Sequence, residues 1–375
     1  RKNKMDLYLS LIRIGASLML AFVTFSLSYR INKNANSYLA MLFGVLAILF
    51  ISTDVGEYIS EKWMWLYAIN ILENTIILIP ALLYIAVYHF VHTPANFLKK
   101  HYLLFLPFLF IAIFRTFSIW AETHSLALED FIDTLDFIFL IGLYIYSLIV
   151  FYWVVKMLVN HHKNVLKFHA NTQGVDLNWL YKLIFVFPII FIAQVVFNFS
   201  SNHYYLINIS DIAIFLMLFY SGFHIVQQRE IFDLTMQGKV LAEKEIPEQI
   251  DVEKEGLIDE HLMLEIVNNL EKVMKEDKPY LNKNLSLNLL ADKLNIRIHI
   301  LSYILNTHYN ENFYTYVNNF RIDYCKALLK NPKKQHLSIE GIAFDGGFGS
   351  KSTFNTLFKK QYRMTPTQYK NTNNQ

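Results

Sequence analysis

Two groups of side chains in this 375-residue sequence have types and spacing suited to recognition chemistry. The first lies toward the C-terminus. His299, Ser302, Tyr303 and Asn306 fall on the side of a short segment opposite the apolar face of Ile300, Leu301, Ile304 and Leu305. Further on, Lys351, Ser352, Asn355, Thr356 and Lys359 fall opposite Phe354, Leu357 and Phe358. An amide donates and accepts at once, so Asn306 and Asn355 suit the paired hydrogen bonds that single out an adenine edge. The cationic groups of Arg297, Lys359 and Lys360 suit phosphate oxygens. The second group is Arg13, Glu73, Arg115, Asp136 and Asp211, each an ionisable residue inside a long apolar run. A charge in such a place is costly and usually faces a bundle interior or a water-filled cavity. The plainer readings are a solvated helix face for the first group, and mutual ion pairing with snorkelling for the second.

The apolar pattern says what must hold the first group. Leu287, Leu290, Ala291 and Leu294 share one face of a short helix. Asn295 tolerates the left-handed turn that ends it, and a second short helix follows at once. The shape then recurs. Ile339, Ile342, Ala343 and Phe344 make a first face, and Asp345-Gly346-Gly347-Phe348-Gly349 makes a turn whose glycines accept positive φ. Ser350 is placed to cap a second helix from Lys351 to Gln361. Two short helices joined by a tight turn are the sequence shape of a helix-turn-helix. Between the two units the pattern predicts one longer helix, Asn312 to Lys330, with Phe313, Tyr316, Val317, Phe320, Tyr324, Ala327 and Leu328 inward.

This arrangement resembles the AraC/XylS family of bacterial transcription regulators. The resemblance rests on Leu289-Leu290-Ala291-x-x-Leu294-Asn295-Ile296, Leu301-Ser302, Arg321-Ile322, Ala327-Leu328-Leu329, Ile342-Ala343-x-x-x-Gly346-Gly347-Phe348, Phe354, Phe358-Lys359-Lys360 and Met364-Thr365-Pro366-x-x-Tyr369. Thr365 as cap with Pro366 at the first helical position fits helix chemistry as well. The resemblance implies two recognition helices in successive segments of the major groove of double-stranded DNA. Asn306 and Asn355 are then the expected base readers, with Arg297, Lys359 and Lys360 on phosphates. Tyr303 and Asn306 stand where a basic residue is common in the family, so the first helix is expected to hold DNA less strongly. A second copy of the chain and RNA polymerase join DNA as expected partners.

The rest of the chain is of another kind. Residues 1–226 hold nearly all the long apolar runs of a sequence that is 54% hydrophobic. Seven candidate spans lie at about 7–29, 38–54, 65–91, 101–120, 133–159, 177–200 and 205–226; each approaches or exceeds the roughly 20 apolar residues that cross a bilayer. A soluble helical core would show polar faces at helical spacing, and runs such as 103–114 and 184–197 show none. The first run is read as a retained span rather than a cleaved signal, since it is long and lacks a small-residue cleavage site. Arg30 and Lys33, Lys99 and Lys100, and Lys156, Lys163 and Lys167 mark alternate loops as basic. The intervening loops carry Asp54, Glu57 and Glu61, then Glu122, Glu129, Asp130 and Asp133. Basic loops belong inside, which puts the N-terminus out and the C-terminus in; the resemblance implies that the membrane is a bacterial inner membrane. Lys62 stands among the acidic residues of one outer loop and Asp176 late in a basic one; Arg1, Lys2 and Lys4 run against the frame, and a start at Met5 removes that conflict. In this topology the five intramembrane charges lie toward the outer end of their spans, as a pocket for a small polar ligand requires.

Residues 227–259 read as a connector: a helix to about Glu245, either a parallel coiled coil or an amphipathic helix on the membrane, then an acidic tether. Positions 243–260 hold eight acidic residues against Lys244 and Lys254. They read as a solvated tether or as a decoy for a basic surface. A helix over Glu260 to Glu276 then leads into the C-terminal domain. From Pro279 onward, thirteen Lys or Arg face five Asp or Glu, a net of +8, the electrostatic footprint of DNA binding. The single cysteine, Cys325, reads as a small buried hydrophobe. His161, His162 and His169 have no carboxylate or cysteine close by, so no metal site and no cofactor is expected. No HExxH, GxSxG, Walker or nucleotide-binding glycine signature is present, which argues against an enzyme.

The sequence therefore predicts an all-α chain: a seven-span bundle over 1–226, a connector over 227–259, and a cytoplasmic double helix-turn-helix domain of AraC type over 260–375. The expected function is a membrane-anchored regulator that couples a signal to DNA binding. The alternative is a transporter or receptor whose activity regulates a tethered DNA-binding module.

Overall fold

The computed structural model describes residues 4–59, 72, 74–92, 99–123, 129–172, 175–182, 184, 203–228 and 260–372. Among these the fold is helical, without a β-strand. The chain divides into two compact units. One is Arg1–His161 with Leu177–Gln237; the other is His162–Asp176 with Gly238–Gln375.

In the first unit the described helices are α1 (Lys4–Ser28), α2 (Lys33–Ile59), α3 (Leu78–Val91), α4 (Leu106–Thr123), α5 (Glu129–Phe168) and α6 (His203–Gln227). Short 3-10 turns, Asn74–Ile77 and Lys99–Phe105, lead into α3 and α4. Helices α1 and α2 form a hairpin. Its turn places Asn32 in the left-handed region at φ 46°, and the Asn36 amide donates to the Ile31 carbonyl at 2.8 Å. Helix α3 is the most enclosed of the set, with Ala81, Ile85, Ala86 and Val87 buried, packed against α2. Helix α1 also packs on α6, where Gly222 leaves room for Leu20: a Cβ at 222 would lie 2.8 Å from the Leu20 Cδ2. Small polar residues in these helices bond back to their own carbonyls, Thr24 to Leu20 at 2.7 Å and Ser221 to Met217 at 2.7 Å, which satisfies these hydroxyls within the helix. Tyr146 on α5 donates to the Leu104 carbonyl at 2.8 Å, tying α5 to the turn before α4.

Five described helices are long and apolar enough to cross a bilayer: 8–28, 33–53, 74–91, 99–121 and 137–168. The apolar stretch 212–227 of α6 is shorter. The seven spans expected from the sequence therefore stand at five among the described residues. Most of the sixth, 177–200, lies outside them, as do the start of the third, the connector helix and the acidic tether.

The second unit contains α7 (Glu260–Glu276), α8 (Leu287–Leu294), α9 (Ile298–Thr307), α10 (Phe313–Lys330), α11 (Ile339–Asp345), α12 (Lys351–Tyr362) and α13 (Pro366–Thr372). It has two cores. Leu270, Met274, Leu287, Leu290, Leu301, Leu305 and the first half of α10 form one; Ile322, Cys325, Leu329, Ile342, Phe348, Phe354 and Phe358 form the other. Helix α10 serves both, and this corrects its predicted inward stripe. The buried positions are Phe313, Tyr316, Val317, Asn318, Arg321, Ile322, Cys325 and Leu329, while Ala327 is exposed. A helix shared by two cores has a buried face that shifts partway along, which one helical stripe cannot reproduce.

Candidate nucleic-acid interface

Each helix-turn-helix unit is held by local chemistry at its ends. Ser286 caps α8 by accepting the Leu289 N–H at 3.3 Å, and Asn295 closes it in the left-handed region at φ 54°. Helix α9 starts two residues beyond Ile296, with Leu301, Ile304 and Leu305 buried. In the other unit Ser338 caps α11 through the Gly341 N–H at 3.0 Å, and Ser350 caps α12 through the Thr353 N–H at 3.2 Å. The turn between them depends on Gly347, whose φ is +82° and whose missing Cβ would lie 2.8 Å from the Leu281 carbonyl oxygen. Thr365 and Gln368 form a reciprocal cap on α13: the Gln368 side chain accepts the Thr365 N–H at 2.9 Å, and Thr365 accepts the Gln368 N–H at 3.3 Å.

The predicted contact residues are distributed unevenly. On α12, Lys351, Ser352, Thr356, Lys359 and Lys360 are exposed on one helix, opposite the buried Phe354 and Phe358. Asn355 is half-buried, and its Oδ1 is shielded from solvent. On α9, Asn306 is exposed and its amide donates to the Ser302 carbonyl at 2.8 Å, so a base would have to displace a bond within the helix. Ser302 and His299 are half-buried, and Arg297 is exposed just ahead of α9. Tyr303 is not on a free face. It packs with Ile300 and Tyr309 against Ile266 and Val267 of α7. The α9 pattern alone does not show this, because α7 supplies the second apolar neighbour.

The basic surface is real but one charge smaller than the sequence count. Of the thirteen cations from Pro279 onward, Arg321 is 0% exposed. Its Nε donates to the Tyr280 carbonyl at 2.7 Å, Nη2 to Asn282 at 2.9 Å and Nη1 to Ala170 at 3.0 Å. Burial lowers its pKa to about 10, which still leaves it cationic at neutral pH. The signal that finds this role lies in register: 317, 321 and 325 share a helical face, and both neighbours are core residues. Burial likewise pushes the Cys325 thiol up to about 12, as expected of a packed, unreactive thiol. Lys326 lies 4.3 Å over the Tyr362 ring, and the Tyr362 hydroxyl donates to Asp323 at 2.8 Å, fastening the end of α12 to α10.

The charged residues of the first unit are placed as follows. Arg13 on α1 is half-buried, with its guanidinium 4.9 Å over the Phe50 ring of α2. Arg115 lies on α4, Asp136 on α5 and Asp211 on α6, and Glu73 lies outside the described residues.

Two capped helix-turn-helix units sharing α10, with a basic surface, define a DNA-binding domain. Residues 290–372 match the family described as a helix-turn-helix domain, the AraC-type form. Together with the apolar helices ahead of it, this fits an AraC-family regulator with a membrane domain. No solved structure matches the chain.

Proposed function

We propose that this protein is a membrane-anchored transcription regulator that couples a signal received by its apolar helices to sequence-specific DNA binding. One observation carries the membrane half of the reading. The long apolar helices expose large side chains, Ile113 at 71%, Leu148 at 68% and Phe219 at 71% among them, a surface that suits hydrocarbon and not water. The DNA half rests on the double helix-turn-helix domain. Asn355 and Asn306 act as base readers, while Arg297, Lys359 and Lys360 hold phosphates. Arg13, Glu73, Arg115, Asp136 and Asp211 line an outward pocket for a small polar ligand, and two copies of the chain engage adjacent sites.

The test is made on the full chain. In the membrane fraction it should sediment and resist alkaline extraction, and in lipid nanodiscs it should select particular duplexes from a random pool. Asn355→Ala should relax that preference at a cost of about 1–3 kcal/mol. Lys359→Ala should weaken all duplexes alike and reduce the salt dependence. Extraction by alkali would remove the membrane reading. Equal losses on selected and random DNA for both variants would remove the division of roles.

A further inference from the structure

The second unit is not continuous in the chain. Residues 168–172 come from the segment between two apolar stretches, yet they are built into the fold of the DNA-binding domain. This strap touches the domain at three places. His169 pairs with Ser286 in an isolated antiparallel bridge, and the Ala170 N–H donates to the Leu285 carbonyl at 3.3 Å. The Ala170 carbonyl accepts from the buried Arg321 at 3.0 Å and from Asn318 at 3.1 Å. Asn171 lies against Gly349, where an added Cβ would sit 2.6 Å from the Asn171 Cγ. Ala170 is 1% exposed, and Phe168 packs on the same core as Leu287 and Leu290.

Two of these places have a common property. Ser286 is the N-cap of α8, and Gly349 directly precedes Ser350, the N-cap of α12. Helix N-termini carry free backbone N–H groups and a partial positive charge, and helix-turn-helix proteins use them to hold DNA phosphates. The strap therefore lies against the leading end of one helix in each helix-turn-helix unit. Phosphates brought to those ends by a bound duplex would meet His169 and Asn171.

We propose that residues 168–172 form an autoinhibitory strap: seated, it excludes DNA from the two helix ends, and withdrawal admits it. The strap continues directly from α5, so a shift of that helix is the lever. The proposal rests on the DNA-binding reading above.

The experiment uses the full chain carrying Asn171→Cys and Gly349→Cys, reconstituted in nanodiscs, with a long random-sequence duplex at low ionic strength as probe. Binding to such a duplex depends on phosphates alone, which is the contact the strap covers. The native Cys325 is buried and stays out of the exchange. Mild oxidation should join the two new cysteines. The joined form should bind the duplex about tenfold or more weakly than the reduced form, and reductant should restore binding. The reduced protein carries the same side chains, so it controls for folding. Failure of the pair to join, or equal or tighter binding when joined, would overturn the strap while leaving DNA binding intact. No binding in either state would overturn both.

Discussion

Arg321 brings a permanent charge into the middle of the DNA-binding unit, with no ion-pair partner among the described residues. Three carbonyls and the Asn318 amide oxygen satisfy it instead, and the Phe348 ring lies 5.9 Å away. Its side chain thus joins the segment before α8, the strap and the turn before α12. Arg321→Met keeps much of the volume but removes the donor to the buried Tyr280 carbonyl, a loss of about 1–3 kcal/mol, while Ala170 and Asn282 keep their bonds from Asn318 and the Leu285 N–H. We expect hydrogen exchange of the α8 and α10 amides in the full chain to speed up at least about thirtyfold, the equivalent of roughly 2 kcal/mol. Unchanged exchange would mean that water replaces the guanidinium at little cost. Arg321→Lys should not rescue, because one ammonium cannot reach donors pointing in three directions.

At the level of the element, the strap is tuned by His169. Burial lowers the pKa of this imidazole below its usual value of 6.5, so the seated strap favours the neutral ring. The sign follows from linkage. Above about pH 6.5 both the seated and the released imidazole are neutral, and seating is at full strength. As pH falls below that value the released form takes up the proton first, and seating weakens until the lowered pKa is passed. The Asn171→Cys/Gly349→Cys pair should therefore join less completely at pH 5.5 than at pH 7.5 when compared at equal thiolate concentration, and His169→Gln should flatten the difference. An identical yield at both pH values in both backgrounds would assign His169 no part. Elements of this domain were largely legible in the sequence. Asn295, Ser350 and Thr365 were readable as caps because a cap depends on residues three or four positions away. The seat of Ala170 was not readable, since its partner Arg321 lies 151 residues on and no local pattern announces it. The face of α9 was half legible: its inward leucines follow from spacing, whereas the burial of Tyr303 depends on α7.

For the whole molecule, the alternation of basic and acidic loops predicts which side each end occupies. A reporter fused after Gln375 that works only in the cytoplasm should be active, and one that works only outside should be silent. A reporter in the segment between α4 and α5 should behave in the opposite way. Activity of the external reporter at Gln375 would separate the DNA-binding domain from its DNA and end the regulatory reading. The spans were legible because a long apolar run needs no partner to be recognised, and their enclosure was not: α3 is shielded by its neighbours while α4 stays open, though their compositions are alike.

The division of the second unit also bears on how such a chain is made and inherited. Ala170 leaves the ribosome long before Arg321, so the domain waits, one piece short of complete, until its C-terminal part is synthesised. Closing so long a loop costs only a few tenths of a kcal/mol more than closing one somewhat shorter, since the entropy grows with the logarithm of length. The constraint falls instead on recombination. A C-terminal domain exchanged between relatives at the acidic linker would arrive without its own residues 168–172 and would have to accept a stranger's strap. The domain is therefore not a freely portable cassette, and any functional exchange must carry along a short piece of sequence from between the apolar helices.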